Sequence, residues 1–504
     1  MPHRSLLLSG GVHAVAARAP KKTAIVCGDG SRTYGELSDR IRRVAGALSN
    51  FGLQPGDRVA VVAPNCLEYP EVMVGIADAG GIGATLSARS TAHEIRDACD
   101  DCGARVIIAH PSVADAIDAA APATVERIVL IGEDYEQWLL AASPAAPNPS
   151  VSEEDPFTLV YSSGTTGRPK GVVISHRSRV LTFHGMAMEY GCYGPDDRQL
   201  GLAPLAHGAG FAFTMATLYF GGTVELVPKF EPEDVLQRLA TGGFTGVFMV
   251  PTHFQAIFGL GSATLSRHYR QAHALRTIMS NAAALPAVLK ERIVEYWGDG
   301  KLHETYGSTE AAIVTNLRPE HQLTRPGSVG PAFALNHVRL LDDGGNDVPE
   351  GEVGELFSSS PYVFNGYWNQ PEEQLAAVRD GWVSAGDLAR RDSDGFLYIV
   401  DRKKDVVITG GYNVYPREIE DVLQRHPVVL SAAVVGIPDE VWGEALRAFV
   451  VLRPGMNATA RDLELHCRTV LAGYKIPKDF WFLDSLPRNA GGKVLKKLLR
   501  EAAP

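Results

Sequence analysis

Apolar positions in the first 150 residues alternate between two kinds of pattern. From Leu37 to Leu48 they recur every three or four residues, behind the capping-box sequence Thr33 to Glu36, which predicts a helix. A second helical pattern spans 71–79 and ends at Gly80-Gly81. Short apolar, β-branched runs lie between such patterns, at 58–62, 105–109 and 127–131. Strands separated by helices predict a largely parallel sheet.

The α/β pattern continues to about residue 330 and then changes. Apolar runs with Gly/Asp turns at 338–341, 354–357 and 396–400 indicate a smaller β-rich subdomain. The charged stretch Asp401 to Asp405 follows. We therefore predict an α/β fold whose large N-terminal domain spans 1–400, with α/β subdomains to about 330 and a β-rich subdomain at about 331–400. A charged junction at 401–404 and a separate small α+β unit at 405–504 complete the predicted organisation.

The charge balance argues against a general nucleic-acid binder. The 504 residues include 48 Lys+Arg and 58 Asp+Glu, for a net charge of −10, whereas binding to a phosphate backbone needs basic surface. No segment has the length of a membrane span, and the apolar stretch Leu6-Leu7-Leu8 is too short for a signal peptide. The six cysteines include one close pair, Cys99 and Cys102, without the second pair that a zinc site needs. We expect a cytoplasmic protein that is a monomer or a homodimer.

One short run between two predicted strands collects an unusual number of hydrogen-bond donors. The strands lie at 157–161 and 172–174, and the run between them has three glycines, four hydroxyls and two cations. Glycines let backbone N–H groups face an anion, while hydroxyls and cations bind its oxygens, so the run predicts a polyphosphate loop. A surface turn is the alternative. The run is Ser162, Ser163, Gly164, Thr165, Thr166, Gly167, Arg168, Pro169, Lys170 and Gly171.

This run resembles the phosphate loop of the adenylate-forming superfamily, which includes acyl-CoA synthetases, luciferases and peptide-synthetase adenylation domains. It differs from the common P-loop, because its lysine follows a proline and precedes a strand. The resemblance implies that the loop binds ATP phosphates and that Thr166 helps to hold Mg²⁺. It extends over nearly the whole chain through the motifs that follow.

Further motifs of the same superfamily stand in the expected order. In Tyr306-Gly307-Ser308-Thr309-Glu310 the resemblance implies that Glu310 holds Mg²⁺, Thr309 donates to the α-phosphate and Tyr306 stacks on adenine. Asp387 matches the aspartate that takes the ribose hydroxyls, in a motif where Ala385 replaces the usual threonine. The remaining matches are Ala282 and Ala283 beside the nucleotide, Arg402 at the ribose and phosphate, Lys404 as the hinge, and Lys493 as the lysine of adenylation. The resemblance also implies that 401–404 is a hinge and that 405–504 is a mobile C-terminal lid.

The resemblance also implies an acyl pocket and a coenzyme A path. His207, in Pro204 to Phe211, matches a gate beside the substrate carboxylate and counts among the catalytic residues with Lys170, Thr309, Glu310 and Lys493. The expected acyl-pocket residues are Phe183, His184, His207, Gly208, Ala209, His253, Asn281 and Ala282. Those expected to bind CoA are Gly410, Gly411, Tyr412, Trp442, Tyr474 and Lys478.

Residues 204–217 limit the choice of acid. They contain no Asp or Glu for an α-ammonium group, which argues against an amino acid, and no Arg or Lys, which argues against a dicarboxylate. Pro251-Thr252-His253 resembles the aryl-carboxylate ligases, especially the halobenzoate branch. Three departures accompany this resemblance: Ala206 where an aromatic is common, Asn281 where glycine is common, and apolar Ile476 where the halobenzoate branch has a cation. An aryl, cyclic or medium-chain acid is expected.

Together the motifs imply a two-step ligase that uses ATP, Mg²⁺ and coenzyme A. A carboxylate attacks the α-phosphate, pyrophosphate leaves, and a thiol then displaces AMP from the acyl-adenylate. The alternatives are an enzyme that loads a carrier protein, a luciferase-like oxidase and a non-catalytic adenylate-binding protein. The last of these conflicts with the joint presence of Lys170, Glu310, Asp387, Arg402 and Lys493.

Overall fold

The computed structural model describes residues 5–162, 170–488 and 494–502, and for Ser162 the backbone alone. In the first of these ranges helices and strands alternate. They are α1 Gly10–Arg18, β1 Thr23–Cys27, β2 Gly30–Thr33, α2 Tyr34–Phe51, β3 Arg58–Val62, α3 Glu68–Asp78, β4 Ile82–Leu86, α4 Ala92–Cys102, β5 Ala104–Ala109, α5 Ala114–Ala120, β6 Arg127–Leu130, α6 Glu133–Leu140 and β7 Pro156–Ser162.

The alternation continues from residue 170 to 317. The elements are β8 Lys170–Ser175, α7 His176–Tyr190, β9 Arg198–Gly201, α8 Gly208–Phe220, β10 Thr223–Leu226, α9 Pro232–Thr241, β11 Gly246–Phe248, α10 Pro251–Phe258, α11 Ser262–His268, β12 Thr277–Ser280, α12 Ala287–Trp297, β13 Leu302–Ser308 and β14 Ala312–Leu317.

Strands dominate the next segment, and a mixed segment ends the chain. The first contains β15 His337–Leu341, β16 Gly354–Ser359, β17 Gly366–Tyr367, α13 Pro371–Ala377, β18 Val378–Arg379, β19 Trp382–Arg391 and β20 Leu397–Arg402. The second contains β21 Val407–Thr409, β22 Tyr412–Val414, α14 Pro416–Gln424, β23 Val429–Asp439, β24 Gly443–Leu452, α15 Ala460–Arg468, β25 Asp479–Phe482 and α16 Lys496–Glu501. Short 3₁₀ turns lie at Pro111–Val113, Pro319–His321, Lys403–Asp405 and Gly473–Lys475.

These strands form four sheets. Two large sheets have the orders β17-β8-β7-β4-β3-β5-β6 and β14-β13-β12-β11-β9-β10-β1-β2. The pairs β3–β4, β3–β5, β5–β6 and β4–β7 are parallel, which confirms the predicted parallel sheet. A third sheet, β15-β16-β19-β18 with β20 on β19, comes from the β-rich segment, and a fourth, β22-β21-β24-β23 with β25 on β24, comes from the last hundred residues.

Local sequence signals account for where several elements begin and end. The Thr33 hydroxyl accepts a hydrogen bond from the backbone N–H of Glu36, and the Thr33 backbone N–H donates to the Glu36 carboxylate. The capping box is therefore formed, and α2 starts where predicted. Gly80, with φ of +85°, follows the end of α3. The predicted helix at 71–79 in fact begins three residues earlier, at Glu68.

The β-rich segment does not keep all its strands in one sheet. β17 leaves the third sheet and pairs antiparallel with β8, so that Tyr367 lies opposite Val172. Because of this pairing, residues near 367 lie beside β8, the strand that follows the predicted phosphate loop. Within the described ranges no helix is both long and apolar enough to cross a membrane.

Candidate active site

The two strands that flank the predicted phosphate loop pair with each other. β7 and β8 are antiparallel, with Ser162 opposite Lys170, as expected for a loop that returns on itself. The loop itself lies outside the described residues, and so does the predicted adenylation lysine. The predicted site residues that therefore lie outside the described ranges are Ser163, Gly164, Thr165, Thr166, Gly167 and Lys493.

Lys170 and Glu310 are brought together through a tyrosine that the sequence motifs do not include. The Tyr367 hydroxyl donates a hydrogen bond to Glu310 Oε1 at 2.8 Å. Lys170 Nζ lies 5.4 Å from the centre of the Tyr367 ring and forms an ion pair with Glu373, in the first turn of α13. Burial, followed by the charge of Glu310, raises the pKa of Tyr367, which keeps its hydroxyl a donor. A carboxylate and a cation thus meet beside the phosphate loop.

A second cluster joins Tyr306, Asp387 and Arg402. The Tyr306 hydroxyl donates to Asp387 Oδ2 at 2.6 Å, and Arg402 Nε lies 3.1 Å from Asp387 Oδ1. Asp387 is 5% exposed and lies opposite Arg402 in the pairing of β19 with β20, so sheet register places the cation beside the carboxylate. Burial and the Asp387 charge raise the pKa of Tyr306 well above its usual value. Three residues predicted to surround adenosine are therefore linked through Asp387, across a span of 97 positions from 306 to 402.

The turn that follows Tyr306 presents Thr309 and Glu310. It joins β13 to β14, whose register pairs Gly307 with Ile313. A Cβ on Gly307 would lie 1.9 Å from the carbonyl oxygen of Ala312, so only glycine fits there. The Ser308 hydroxyl accepts a hydrogen bond from the N–H of Ala311 at 3.0 Å, which closes the turn.

His207 occupies the N-cap position of α8 and is half-buried. Burial, followed by the charge of Arg89, lowers its pKa, so the imidazole is neutral at pH 7. Its Nε2 atom is buried and has no hydrogen-bond partner in the part of the chain that the structure describes. The next residue, Gly208, adjoins Thr309, because a Cβ on Gly208 would lie 3.9 Å from Thr309 Cγ2. The predicted carboxylate gate and the predicted phosphate donor are thus neighbours.

The segment after β12 adjoins the same turn. Asn281 donates from Nδ2 to Thr305 Oγ1 at 2.8 Å, and its Oδ1 accepts a hydrogen bond from the N–H of Ala282. Ala282 has φ of +76°, a conformation that costs a non-glycine residue about 1–2 kcal/mol. Ala282 and Ala283 are exposed, and they follow Asn281, which is bonded to the neighbour of Tyr306 in the chain, Thr305.

Other predicted acyl-pocket residues do not join this group. Phe183 packs on Tyr219, and His184 meets the edges of Tyr219 and Phe220, at the C-terminal end of α8. About 18 Å of helix separates that end from His207, and the place of Phe183 and His184 in the acyl pocket stays a prediction. His253 stacks on Phe230 with ring centres 4.3 Å apart, and burial lowers its pKa to about 4. Ala209 lies in the first turn of α8 and packs against the core.

The residues predicted to bind coenzyme A form an exposed patch at one hairpin. Gly410 and Gly411 are the two-residue loop between β21 and β22, and their φ values of +58° and +82° suit a tight hairpin turn. A Cβ on Gly410 would lie 2.7 Å from the ring of Trp442, whereas nothing lies within 4 Å of one on Gly411. The aromatic neighbours are Tyr412 stacked on Tyr474 at 4.8 Å and Lys478 with its Nζ 4.9 Å from the Trp442 ring.

Lys404, the predicted hinge, lies between two anchored residues. Lys403 pairs with Asp343 at 2.7 Å and with Glu355 at 3.1 Å, both in the β-rich segment. Asp405 pairs with Arg500 of α16 at 2.7 Å. The side chain of Lys404 itself is exposed.

Comparison with known proteins agrees with this arrangement. Residues 12–368 match the AMP-binding enzyme family, and residues 418–493 match the AMP-binding enzyme C-terminal domain. A feruloyl-CoA synthase of Amycolatopsis sp. is 39% identical over 491 residues, 96% of each chain. A long-chain-fatty-acid–CoA ligase of Bacillus subtilis (strain 168) is 33% identical over 96% of this chain and 92% of its own.

The fold is likewise shared with solved structures. The crystal structure of ATP-bound MatB from Rhodopseudomonas palustris superposes with a TM-score of 0.90 at 32% identity, covering 98% of each chain. This confirms the predicted α/β class, with a large N-terminal and a small C-terminal domain. The chain belongs to the AMP-binding enzyme family and is, as its motifs predicted, an acyl-CoA synthetase of the adenylate-forming superfamily.

Proposed function

We propose that this enzyme joins an aryl carboxylic acid to coenzyme A through an acyl-adenylate, at the site built around Tyr306, Asp387 and Arg402. That cluster carries the proposal, because a buried carboxylate held by a hydroxyl and a guanidinium suits a ribose diol. In the first half-reaction a carboxylate oxygen attacks the α-phosphorus of ATP, the bond to the bridging oxygen breaks, and pyrophosphate leaves. In the second the CoA thiolate attacks the acyl carbon and AMP leaves.

The residues near the phosphate loop have roles in the first half-reaction. Lys170 offsets the charge of the β- and γ-phosphates, and Thr309 donates to the α-phosphate. Lys493 stabilises the charge that grows during adenylation. Their assignment rests on the family motifs and on the contact of Thr309 with the loop that carries His207.

Glu310 suits a Mg²⁺ ion shared with ATP. Its Oε1 accepts from Tyr367, which orients the carboxylate and leaves the second oxygen for a ligand. Mg²⁺ commonly takes one or two protein carboxylates together with substrate phosphates, and Thr166 is the predicted second protein ligand. When bound, the ion neutralises phosphate charge and orients the triphosphate.

The aryl preference has two supports. The relative named for an aryl acid, ferulate, is 39% identical, against 33% for the named long-chain fatty acid ligase. Phe213 and Phe248 stack with ring centres 4.2 Å apart and line a small cavity beside Gly210 of α8, which we propose as part of the acyl pocket. A hydroxycinnamic acid is the class that we propose, with the Asn281 amide as a polar group near the nucleotide end.

The exposed aromatic patch is the proposed site of the second substrate. Gly410 and Gly411 give the pantetheine arm access along bare backbone, and Tyr412, Tyr474 and Trp442 offer faces for the CoA adenine. Lys478 supplies a cation for its phosphates. The domain limits 1–400 and 405–504, with rotation about Lys404, remain part of this proposal.

We also place the enzyme in the cytoplasm, as a monomer or homodimer. All six cysteines are free thiols, and burial raises the pKa of Cys99 and Cys192 to about 12, so neither is reactive. Free buried thiols are typical of proteins in a reducing compartment.

One assay tests the reaction and its acid together. The purified enzyme is incubated with ATP, Mg²⁺, CoA and single acids from three sets: hydroxycinnamates, benzoates and C6–C16 fatty acids. AMP, pyrophosphate and acyl-CoA are measured in each. We expect equimolar AMP and thioester, with the highest kcat/KM among the hydroxycinnamates. Pyrophosphate release without any CoA thioester would favour a carrier protein as acyl acceptor, and a higher kcat/KM for fatty acids would overturn the aryl assignment.

The two half-reactions are separated by Lys493→Ala. We expect this variant to lose adenylate formation and to keep thioester formation from supplied acyl-AMP. Equal loss of both steps would contradict the role proposed for Lys493.

A further inference from the structure

Helix α7 carries a buried arginine without a counter-charge. Arg179 is 6% exposed, and its Nε is fully buried without a hydrogen-bond partner among the described residues. No hydrogen bond or ion pair joins its guanidinium to any of them, and burial is the sole influence found on its pKa, which falls to about 10. The guanidinium is therefore charged at pH 7 with no carboxylate in reach.

The guanidinium lines a small cavity beneath the N-terminus of α8. Thr85, Thr158, Ala206, His207 and Phe211 line it with Arg179. The two threonine hydroxyls are already used, since Thr158 donates to Gly83 O at 2.7 Å and Thr85 to Ala206 O at 3.0 Å. The methyl group of Ala206 leaves space that a larger side chain would fill. The cavity thus gives the arginine room without giving it a partner.

The open end of this arrangement lies at the proposed reaction centre. Arg179 Nη2 and Thr309 Cγ2 lie 4.0 and 3.9 Å, respectively, from the point that a Cβ on Gly208 would occupy. His207, with its own unpartnered Nε2, precedes Gly208. The charge that acts on His207 is that of Arg89, another cation. Among the described residues no acid forms an ion pair with Arg179.

Burying an unpaired charge costs several kcal/mol even after relaxation of the protein. A buried cation of this kind is stabilised when an anion enters its site. The reaction proposed above brings two anions to this place, a carboxylate and the α-phosphate.

We propose that Arg179 binds the oxygens at the junction of the substrate carboxylate and the α-phosphate, and so serves as a further catalytic residue of adenylation. This inference rests on the proposed function. As the carboxylate oxygen bonds to the α-phosphorus and pyrophosphate leaves with the electrons of the broken P–O bond, negative charge concentrates on the non-bridging oxygens. A fixed guanidinium at that point reduces the repulsion between the two anions and stabilises this charge.

The test compares Arg179→Met with Arg179→Lys and with Arg177→Met. Methionine fills similar space without charge, and lysine restores charge without the guanidinium fork. Arg177 is the matched control, because it lies on the same helix but is 42% exposed and pairs with Glu153. We expect Arg179→Met to lower kcat/KM for adenylation by about 100-fold with every acid, a usual effect of removing one such donor. Arg179→Lys should recover at least part of this loss, and Arg177→Met should match wild type.

A binding measurement keeps the test independent of turnover. The midpoint temperature of thermal unfolding is measured with AMP and with adenosine. The difference between the two shifts reports the contribution of the phosphate to binding. We expect Arg179→Met to unfold at the wild-type temperature or above it when free, and to lose at least half of the extra shift that AMP gives over adenosine. Arg177→Met should keep that shift in full.

Each result decides the inference. Unchanged adenylation and an unchanged AMP shift in Arg179→Met would overturn it. A loss confined to acids with a second anionic group would also overturn it, since the arginine would then bind the acyl portion. If wild type forms no acyl-CoA with any acid, the proposed function fails, while the AMP shift still decides whether Arg179 binds the phosphate.

Discussion

Replacing Gly411 by leucine tests the proposed pantetheine path, and a second glycine supplies the control for backbone strain. Gly411 and Gly455 have φ of +82° and +75°, and neither would place a Cβ within 4 Å of other atoms. Both belong to the segment of the fourth sheet, Gly411 in the β21–β22 loop and Gly455 between β24 and α15. Leucine at either position therefore introduces backbone strain but no steric clash.

The stability effects of the two substitutions should be equal. A left-handed conformation costs an L-residue about 1–2 kcal/mol, so each variant should lose that much free energy of unfolding. Gly410 is unsuitable for the comparison, because a Cβ there would lie 2.7 Å from the Trp442 ring and add a packing cost. Urea denaturation of Gly411→Leu and Gly455→Leu measures this part of the prediction.

The catalytic effects should differ. In Gly411→Leu the side chain occupies the space proposed for the pantetheine arm, and displacement of the thiol by about 1 Å or more is expected to slow acyl transfer about 100-fold. Pyrophosphate release in single turnover should stay within about threefold of wild type in both variants, since adenylation does not use that space. Acyl-CoA formation from supplied acyl-AMP measures the second step.

Two results would refute the reasoning. Unimpaired acyl transfer in Gly411→Leu would mean that the thiol does not pass this loop. An equal loss in Gly455→Leu would mean that strain in the C-terminal segment, and not obstruction, slows the reaction.

Three further substitutions test the contacts of the site and of the fold. Tyr306→Phe removes the 2.6 Å hydrogen bond to Asp387, which is worth about 1.5–3 kcal/mol for a charged acceptor. The KM for ATP in steady-state assays should therefore rise about 10- to 100-fold. An unchanged KM would contradict the proposal that this cluster binds the ribose. Tyr367→Phe removes the 2.8 Å hydrogen bond that the tyrosine donates to the Glu310 carboxylate. The Mg²⁺ concentration that gives half-maximal activity should then shift. An unchanged Mg²⁺ titration would contradict the proposal that Glu310 binds the ion. Burial lowers the pKa of His176 from 6.5 to about 4. The neutral form of His176 therefore contributes about 3 kcal/mol to the free energy of unfolding, which is present above pH 6.5 and is lost as the pH falls toward 4. The free energy of unfolding of His176→Asn should depend less on pH in that window, and an unchanged slope would refute this.

Local elements were predictable because their signals lie within a few residues of one another. The capping box of Thr33 and Glu36 and the strands on either side of the phosphate loop need no knowledge of distant segments. The cluster of Tyr306, Asp387 and Arg402 was predictable for another reason. The family motifs give these three residues roles around one ligand, and in the structure Tyr306 and Arg402 both contact Asp387.

Tyr367 and Glu373 show where such reasoning stops. Both reach Lys170 because β17 leaves the β-rich segment and pairs with β8, almost 200 positions earlier in the chain. No local pattern predicts a two-residue strand in another sheet. A tyrosine in so short a strand and a glutamate at the start of a helix are also too common to stand out.

Helix α7 shows a second limit, which concerns position along a helix. Arg179 and Phe183 are four residues apart and therefore lie on the same face of α7, one turn from each other. Phe183 packs on Tyr219 near the C-terminal end of α8, whereas Arg179 lines the cavity next to His207 at the N-terminus of α8. An arginine in a mixed helical pattern is ordinarily exposed, and only packing of α7 against α8 shows that this one is buried.

The contacts around Lys404 constrain how the C-terminal segment can rotate. Lys403 is tied to Asp343 and Glu355 on one side of it, and Asp405 to Arg500 on the other, so a rotation at residue 404 leaves those ion pairs intact. Among the described residues one hydrogen bond crosses the predicted hinge: Asp401 accepts from the N–H of Arg417, at the start of α14, at 2.9 Å. Rotation must break it, at a cost of about 1–3 kcal/mol, because Asp401 is buried. Weak coupling of this size would suit the rotation that we propose for this segment, because a larger cost would trap the enzyme after the first half-reaction.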